Sequence, residues 1–239
     1  MSSAEFSSSP ALPLDGLTVA FDLDGTLVET APDLVGTLND LLALRGLAPL
    51  PLSAARSLIG HGARALIQKA MDTHGLTLDP ADHDALFQAF LTRYAERIAD
   101  ESRPYPGVEA ALERLIALGA RLCVCTNKPT GLSVQLLEAL NLSRYFQSII
   151  GADSPPAKKP DPGHLIMAVT EAGGDPARMM LVGDSETDVA TARNAGVPVI
   201  TVSFGYTALA PADLGGDILI DHFDALETAV TALAAKKPG

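Results

Sequence analysis

Short apolar runs alternate with helical patterns along most of this chain, and this alternation limits its fold more than any other feature. Four runs are typical of buried strands and two weaker ones resemble them, at residues 17–21, 121–125, 179–182, 198–202, 148–150 and 218–220. Apolar residues at helical spacing lie between them, at residues 107–118, 129–140, 162–172 and 186–195. This order predicts βαβ units, and hence an α/β fold with a Rossmann-like parallel sheet between layers of helices.

Residues 31–103 interrupt the alternation, because they carry helical patterns and no strand-like run. The predicted helices cover residues 32–44, 54–59, 63–73 and 80–99, and the last begins at a favourable Asp79-Pro80 pair. We therefore expect an all-helical cap at 31–103, inserted into a core formed by 14–30 and 104–239. Residues 1–13 are rich in Ser and Pro and lack a signal-peptide pattern, so we expect a flexible leader there.

Polar residues of a consistent kind follow four of the predicted strands. They are Asp22 and Asp24, then Thr126 and Asn127, then Lys159, and finally Asp184 and Asp188. Each alone has an ordinary explanation, such as a turn, an exposed lysine or an acidic residue in the first turn of a helix. Because ligands bind beyond the carboxyl ends of the strands in an open parallel sheet, we expect these residues to meet in one site.

The types of side chain in this predicted site indicate phosphoryl chemistry. Carboxylate oxygens such as those of Asp22 and Asp184 suit Mg²⁺, which binds one or two carboxylates together with substrate phosphate. Thr126 and Asn127 offer a hydroxyl and an amide, and Lys159 offers a positive charge that phosphate accepts well. A metal ion and such donors together would neutralise the charge on a transferring phosphoryl group.

The strand-end residues resemble the four signature motifs of the haloacid dehalogenase superfamily of phosphohydrolases. The matching positions are Asp22, Asp24, Gly25, Thr26, Thr126, Lys159, Gly183, Asp184 and Asp188. The resemblance covers nearly the whole chain after the leader, and the predicted helical block lies where this family has its small cap. No motif residue is missing, which argues against a non-catalytic binding module on this scaffold.

The resemblance implies a role for each matching residue. Asp22 would attack phosphorus and form an aspartyl-phosphate, while Asp24 would protonate the leaving group and then activate water. Mg²⁺ would be held by the Asp22 carboxylate, the Asp24 backbone carbonyl and Asp184. Thr126 and Lys159 would bind the phosphoryl oxygens. Asp188 would support the site from behind, through a water or through Lys159.

The resemblance also bears on the substrate. Dehalogenases of this superfamily lack the second aspartate, so Asp24 favours a phosphatase. The stretches 22–34, 59–66, 159–162 and 203–206 are similar to the phosphoglycolate phosphatase group, which implies 2-phosphoglycolate as the substrate. The alternatives are a phosphomutase of the β-phosphoglucomutase type, or a phosphatase for N-acetylmuramic acid 6-phosphate, a sugar phosphate or pyrophosphate.

One stretch of the predicted cap has the composition of a substrate loop. Gly60 and Gly62 would let the backbone approach a ligand closely, and Arg64 could bind a carboxylate through its two-pronged guanidinium. The alternative for Arg64 is a solvated helix face, and His61 is a further candidate contact.

Charge and cysteine content restrict partners and location. The net charge of −12 disfavours nucleic acid and anionic membranes, and no apolar run approaches the ~20 residues of a membrane span. Two cysteines, Cys123 and Cys125, share one face of a strand, which predicts core packing and not a metal site. We expect a cytoplasmic protein, because nothing indicates disulfides, and either a monomer or a homodimer.

Overall fold

The computed structural model describes residues 12–154 and 157–236. In this part of the chain the strands are β1 Thr18–Phe21, β2 Val28–Glu29, β3 Arg103–Pro104, β4 Arg121–Cys125, β5 Ser148–Ile150, β6 Met179–Gly183, β7 Val199–Val202 and β8 Ile218–Ile220. The α-helices are α1 Ala31–Leu44, α2 Leu52–Ala55, α3 Ala63–Thr73, α4 Pro80–Glu96, α5 Val108–Ala117, α6 Thr130–Ala139, α7 Pro162–Glu171, α8 Glu186–Ala195 and α9 Leu226–Ala234.

Six strands form one parallel sheet in the order β5-β4-β1-β6-β7-β8. β1 lies at its centre, where Thr18 is in register with Arg121 of β4 and Met179 of β6. The carboxyl ends of these three strands therefore lie side by side. The predicted α/β class is confirmed, and the two weak strand candidates, 148–150 and 218–220, are the edge strands.

The two faces of β1 pack into different apolar clusters, because successive side chains of a strand point in opposite directions. Val19 and Phe21 belong to a large cluster that also includes side chains of the helical block. Ala20 faces the other way and packs with Cys123 and Cys125. Both cysteines are buried and free, as predicted, and burial raises the pKa of Cys125 to about 12.

The helical block contains α1 to α4, and it differs from the sequence prediction in two places. The helix predicted at 54–59 is the short α2 followed by a 3₁₀ turn at Arg56–His61. The helix predicted at 80–99 ends at Glu96, where Arg97 leaves the helical region with φ −130°. The other two helices lie where helical spacing predicted them.

A small antiparallel ribbon, which the sequence prediction missed, lies at the two junctions of the helical block. β2 and β3 pair through Val28 with Pro104 and Glu29 with Arg103. Two-residue strands are too short to show an alternating pattern, so periodicity could not reveal them. The chain thus enters and leaves the helical block side by side, while the division into core and cap at the stated residues stays a prediction.

Contacts within the helical block centre on two buried side chains of α4, Phe90 and Tyr94. α4 packs against α1 and α3. A buried carboxylate of α1, Asp33, accepts hydrogen bonds from the backbone N–H groups of Glu101 and Ser102 and thereby holds the return of the chain. Within residues 12–154 and 157–236, no helix combines the length and the apolar character that crossing a bilayer requires.

Candidate active site

Three buried carboxylates meet at the carboxyl ends of β1 and β6. Asp22 directly follows β1, and its backbone N–H donates to the carbonyl of Val182 in β6. One carboxylate oxygen from each of Asp22, Asp184 and Asp188 lies within 4.8 Å of the others. The strand-end positions that the sequence indicated therefore do come together.

Burial disfavours the ionised forms of two carboxylates in this cluster. Burial raises the pKa of Asp22 to about 6, although the Lys159 ammonium acts in the opposite direction. Burial also raises the pKa of Asp184 well above its usual range, and the neighbouring Asp188 and Asp22 add to that shift. The cluster has more negative than positive groups, because three carboxylates face one ammonium.

Asp184 is fixed by two hydrogen bonds. Its Oδ1 accepts from the Thr26 hydroxyl at 3.2 Å, and its Oδ2 accepts from the backbone N–H of Tyr206 at 2.6 Å. The loop that carries Tyr206 approaches so closely that a Cβ on Gly205 would lie 2.1 Å from the Asp184 Cβ. Glycine is therefore required there for the loop to reach the carboxylate.

Lys159 supplies the positive charge of the cluster. Its Nζ lies 2.8 Å from Oδ1 of Asp22 and 2.7 Å from Oδ1 of Asp188, and the side chain is buried. Burial lowers the pKa of this ammonium, but the carboxylates of Asp188 and Asp22 outweigh burial and the net shift is upward. Lys159 is therefore a fixed cation inside the site.

The backbone of Lys159 is held from two sides. Its N–H donates to Nδ1 of His164 at 3.1 Å, and its carbonyl accepts from Nδ2 of Asn127 at 3.2 Å. Burial, together with the charge of Lys159, lowers the pKa of His164 to about 4. Sequence analysis gave His164 no role, since a single histidine in a helical pattern carries no distinguishing signal.

Asp188 lies behind the other two carboxylates and has both oxygens engaged. Oδ1 contacts Lys159, whereas Oδ2 accepts hydrogen bonds from the backbone N–H groups of Asp184 and Ser185 and from the Ser185 hydroxyl. Ser185 and Asp188 also form the capping box that begins α8. The two readings of Asp188, a helix-capping acid and a partner of Lys159, both describe its contacts.

Thr126 and Asn127 follow β4 at the same edge of the sheet. The Thr126 hydroxyl is buried and accepts a hydrogen bond from the backbone N–H of Lys128 at 3.3 Å. Asn127 uses Nδ2 for the carbonyl of Lys159, and its buried Oδ1 has no hydrogen-bond partner among the described residues. Asn127 thus ties the end of β4 to the loop that carries Lys159.

Lys128 is a site residue that sequence analysis missed. Its buried Nζ donates to Oδ1 of Asp24 at 3.0 Å and to the hydroxyl of Tyr94 at 2.8 Å. The ammonium also lies over the Tyr94 ring, 4.3 Å from its centre. Burial lowers the pKa of Lys128, and the neighbouring Asp24 counteracts that shift. The only sequence signal was a lysine directly after Thr126 and Asn127.

A pocket of about 460 Å³ opens over these groups. Its core wall includes Asp22, Asp24, Thr126 and Lys128. Its cap wall is mostly apolar and includes Leu34, Ile59, Leu66, Phe87 and Phe90.

The predicted substrate loop lies at this pocket. Gly60, Gly62 and Arg64 all contribute to its lining, and Gly62 needs the conformational freedom of glycine at φ +89°. The guanidinium of Arg64 binds Asp84 at 2.6 Å and stacks on Phe87 with its side chain half exposed. The side chain of His61 lies outside the part of the chain that the structure describes.

A polar cluster that sequence analysis also missed links the helical block to the Asp184 loop. The Tyr206 hydroxyl donates to Oε1 of Glu29 at 2.7 Å and accepts from the backbone N–H of Thr30 at the same distance. Oε2 of Glu29 accepts from Arg56, which follows α2. Tyr206 therefore connects the carboxylate cluster to the junction of the helical block. Its backbone N–H binds Asp184, and its hydroxyl binds Glu29 and Thr30.

The carboxylate cluster has the donor set of a divalent-cation site. Asp22 and Asp184 offer hard oxygen ligands, and their raised pKa values show that a further positive charge would stabilise their ionised forms. Asp188 is less available, because both of its oxygens are already engaged. The residues present therefore fit Mg²⁺.

Known proteins resemble this chain over most of its length. A family model described as haloacid dehalogenase-like hydrolase matches residues 19–202. A protein from Caulobacter vibrioides named phosphoglycolate phosphatase is 50% identical over 223 residues, which are 93% of this chain and 94% of that relative. A protein of the same name from Mesorhizobium japonicum is 45% identical over 208 residues, which are 87% of this chain and 92% of the relative.

Solved structures show the same architecture. The crystal structure of a predicted phosphoglycolate phosphatase from Haemophilus somnus 129PT superposes with a TM-score of 0.83 at 31% sequence identity. The match covers 90% of this chain and 98% of that one. Core sheet and helical block are therefore both present in that structure, since so little of either chain lies outside the match.

Proposed function

This chain belongs to the haloacid dehalogenase-like hydrolases and is a phosphatase, and we propose that it hydrolyses 2-phosphoglycolate with Mg²⁺ through an aspartyl-phosphate on Asp22. The observation that carries the proposal is the buried cluster at the ends of β1 and β6, where Lys159 contacts Asp22 and Asp188 and the carboxylate of Asp184 lies beside them. The substrate is supported by the relatives named phosphoglycolate phosphatase, which match nearly the whole chain.

In the first half of the reaction, an Asp22 oxygen attacks phosphorus and the bond from phosphorus to the ester oxygen breaks. Asp24 gives its proton to the leaving alkoxide, which becomes glycolate. Asp24 is suited to this role because it lines the pocket and is only partly buried, so that a leaving group in the pocket can reach its carboxylate.

In the second half, Asp24 takes a proton from a water molecule, which attacks the aspartyl-phosphate and releases inorganic phosphate from Asp22. Lys159 and the Thr126 hydroxyl bind the phosphoryl oxygens in both halves. Asp188 keeps the Lys159 ammonium in place through its 2.7 Å contact, and Asn127 fixes the backbone of the same residue.

Mg²⁺ would be held by the carboxylates of Asp22 and Asp184 and by the backbone carbonyl of Asp24. When bound, it supplies charge neutralisation for the phosphoryl group. The tight hydrogen bonds to Asp184 from Thr26 and Tyr206 keep this ligand in one orientation.

The proposal is tested by phosphate release from a panel of esters, with Mg²⁺ and after removal of metal by a chelator. The panel contains 2-phosphoglycolate, sugar phosphates, N-acetylmuramic acid 6-phosphate, nucleotides and pyrophosphate. We expect the highest kcat/KM for 2-phosphoglycolate, and loss of activity without metal that Mg²⁺ restores.

The matched variants are Asp22→Asn and Asp15→Asn. Asp22→Asn should lower kcat by at least about 10⁴-fold, because it removes the nucleophile. Asp15 is exposed and lies outside the pocket, so that the same change there should leave kcat unaltered.

Other outcomes would correct the proposal in defined ways. No phosphate release from any ester would overturn it. A better ester than 2-phosphoglycolate would replace the substrate and keep the reaction. An isomerised sugar phosphate in place of free phosphate would identify a phosphomutase. The cytoplasmic location and the monomeric or homodimeric state stay predictions, which cell fractionation and light scattering test.

A further inference from the structure

Two lysine side chains are buried at the carboxyl edge of the sheet, but their surroundings differ. Lys159 lies between two carboxylates of the core. Lys128 contacts one carboxylate, that of Asp24, and the neutral hydroxyl of Tyr94 from the cap helix α4. Nζ of Lys128 lies 3.0 and 3.3 Å from the two oxygens of Asp24 and 2.8 Å from the Tyr94 hydroxyl. Because the two oxygens of one carboxylate can share a single N–H, one of the three ammonium donors can serve an anionic acceptor in the pocket that Lys128 lines.

The position of Lys128 relative to Asp24 restricts which anion it could bind. If Asp24 protonates the ester oxygen across a hydrogen bond, then Nζ of Lys128, 3.0 Å from Asp24, lies within about 6 Å of that oxygen. In an ester of a 2-hydroxy acid, the carboxylate is attached to the carbon that carries the ester oxygen. Its oxygens then lie about 3–4 Å from the ester oxygen, so that a carboxylate turned towards Lys128 can reach hydrogen-bond distance of Nζ.

The other cations of the pocket are less suited to this task. Arg64 is half exposed and its guanidinium already binds Asp84 at 2.6 Å. Lys158 lines the pocket but is exposed. A carboxylate enclosed by the apolar cap wall requires a buried partner, because an unpaired buried charge is costly. Among the described lining residues, Lys128 meets that requirement.

The size of the pocket bears on the rest of the substrate. Its volume of about 460 Å³ falls in the range of sites for molecules much larger than glycolate. Four side chains of the helical block that line the pocket are apolar, namely those of Leu66, Phe87, Phe90 and Leu91. A small apolar substituent on the carbon next to the carboxylate would therefore meet compatible surroundings.

On the basis of the proposed function, we infer that Lys128 binds the substrate carboxylate and selects phosphate esters of 2-hydroxy acids. Tyr94 holds the ammonium from the cap side, and glycolate is the smallest member of the substrate class. Esters without a carboxylate leave Lys128 without its ligand. Esters whose carboxylate is one carbon further away carry the charge past Lys128 towards the apolar wall.

The test compares kcat/KM for three esters that differ only near the carboxylate. They are 2-phosphoglycolate, its uncharged amide 2-phosphoglycolamide, and 3-phosphooxypropanoate, whose carboxylate is one methylene further from the ester oxygen. We expect the wild-type enzyme to prefer 2-phosphoglycolate over each of the other two by about 100-fold, as charge-assisted hydrogen bonds allow.

Lys128→Met should abolish this preference, with a loss confined mainly to 2-phosphoglycolate. The matched control is Lys69→Met on α3, the same change at an exposed residue outside the pocket, and it should keep the wild-type preference. An equal loss on all three esters would show that Lys128 only orients Asp24, and would overturn the inference.

A wild-type measurement keeps the inference testable if Lys128→Met fails to fold. Equal kcat/KM for 2-phosphoglycolate and its amide in the wild-type enzyme would overturn the role of Lys128 without any variant. A fourth ester, 2-phospholactate, carries a methyl group on the carbon next to the carboxylate of 2-phosphoglycolate. The inferred substrate class requires that this methyl group lower kcat/KM by less than about tenfold. A larger loss would restrict the class to glycolate and overturn that part.

Failure of the proposed function gives a different result. An enzyme that acts on none of the three esters but hydrolyses an unrelated phosphate contradicts the proposed substrate. The ratio of kcat/KM for 2-phosphoglycolate to kcat/KM for its amide, compared between wild type and Lys128→Met, tests only the role of Lys128.

Discussion

The core wall and the cap wall of the pocket are stabilised by different interactions. Directly behind the core wall, Lys159 and Asp188 are buried charges in contact with each other, and Lys159 also contacts Asp22 of that wall. On the cap side, the charged pair of Arg64 and Asp84 is exposed, and the buried surface is apolar. Removal of one partner of a buried ion pair strongly destabilises a protein, whereas exposed ion pairs contribute little to stability. We therefore expect substitutions of charged residues at the core wall to lower stability much more than substitutions of charged residues at the cap wall.

The reason for this difference lies in what each wall has to do. The phosphoryl group is the same for every phosphate ester, so its surroundings benefit from rigid strand ends and fixed charges. The leaving group varies between substrates, and an apolar surface carried by an inserted helical block allows variation without disturbing the sheet. Lys128 is the exception, because it belongs to the core wall yet contacts Tyr94 of the cap.

Among the variants that test this contrast between the walls, the largest effect is expected for Lys159→Met, which leaves the carboxylates of Asp22, Asp184 and Asp188 without their ammonium. We expect kcat to fall on the order of 10³-fold and the free energy of unfolding to fall by about 3 kcal/mol, as for other broken buried ion pairs. Phosphate release and urea unfolding at pH 7 measure the two effects. The adjacent exposed residue provides the control, since Lys158→Met should unfold like the wild type. Equal stability of Lys159→Met and wild type would contradict the contrast between the walls.

An intermediate effect concerns acid and the core histidine His164. Its pKa is lowered to about 4 by burial and by the charge of Lys159, against 6.5 for an ordinary histidine. Between pH 6.5 and 4 the unfolded chain therefore binds more protons at this residue, so its contribution to stability falls as the pH falls through that window.

Melting temperatures of the wild type and of His164→Gln between pH 7.5 and 4.5 measure this effect. The glutamine carbonyl can still accept from the Lys159 N–H but does not titrate, so the advantage of the wild type should shrink steadily with acid. His74→Gln in the cap, where the histidine contacts the carbonyl of Ala48 at the surface, serves as the matched control. A gap between wild type and His164→Gln that is constant with pH would rule out this source of acid sensitivity.

The smallest expected effect concerns Arg64→Ala in the cap wall. The guanidinium is exposed and already paired with Asp84, so we expect KM for 2-phosphoglycolate to rise about threefold, with unchanged kcat and nearly unchanged stability. Steady-state kinetics measure this, and Asp84→Asn is the companion variant, because it frees the guanidinium for substrate. A KM increase above about 30-fold, or a lower KM in Asp84→Asn, would move carboxylate binding from Lys128 to Arg64.

The polar residues at the strand ends could be predicted from sequence because each directly follows its strand. Asp22 follows its strand directly in the chain, and Asp184 does the same after β6, so position along the sequence is also position at the edge of the sheet. Lys159 was found because it belongs to a motif, although its ammonium contacts Asp22 and Asp188, which lie 137 and 29 positions away in the chain. Their assigned roles in catalysis stay predictions until the variants are measured.

Other site residues were out of reach because their surroundings are assembled from distant segments. Lys128 meets Asp24 across 104 positions of the chain, and Tyr206 meets Glu29 across 177. A lysine in a turn and a tyrosine in a loop look the same in sequence whether they are solvated or buried. The two-residue strands β2 and β3 were missed for a related reason, since their pairing joins residues 74 and 76 positions apart.

The amino-acid sequence by itself determined the α/β class, the inserted helical block and the polar residues that end each central strand. These follow from hydrophobic periodicity and from the rule that parallel strands present their carboxyl ends together. The tertiary structure alone decided which charges are buried, which are paired and which remain available to a ligand. Those properties depend on desolvation and on contacts of about 3 Å between segments that are far apart in the chain. They explain why Lys128 is a buried cation of the core whereas Arg64 is an exposed cation paired at the surface.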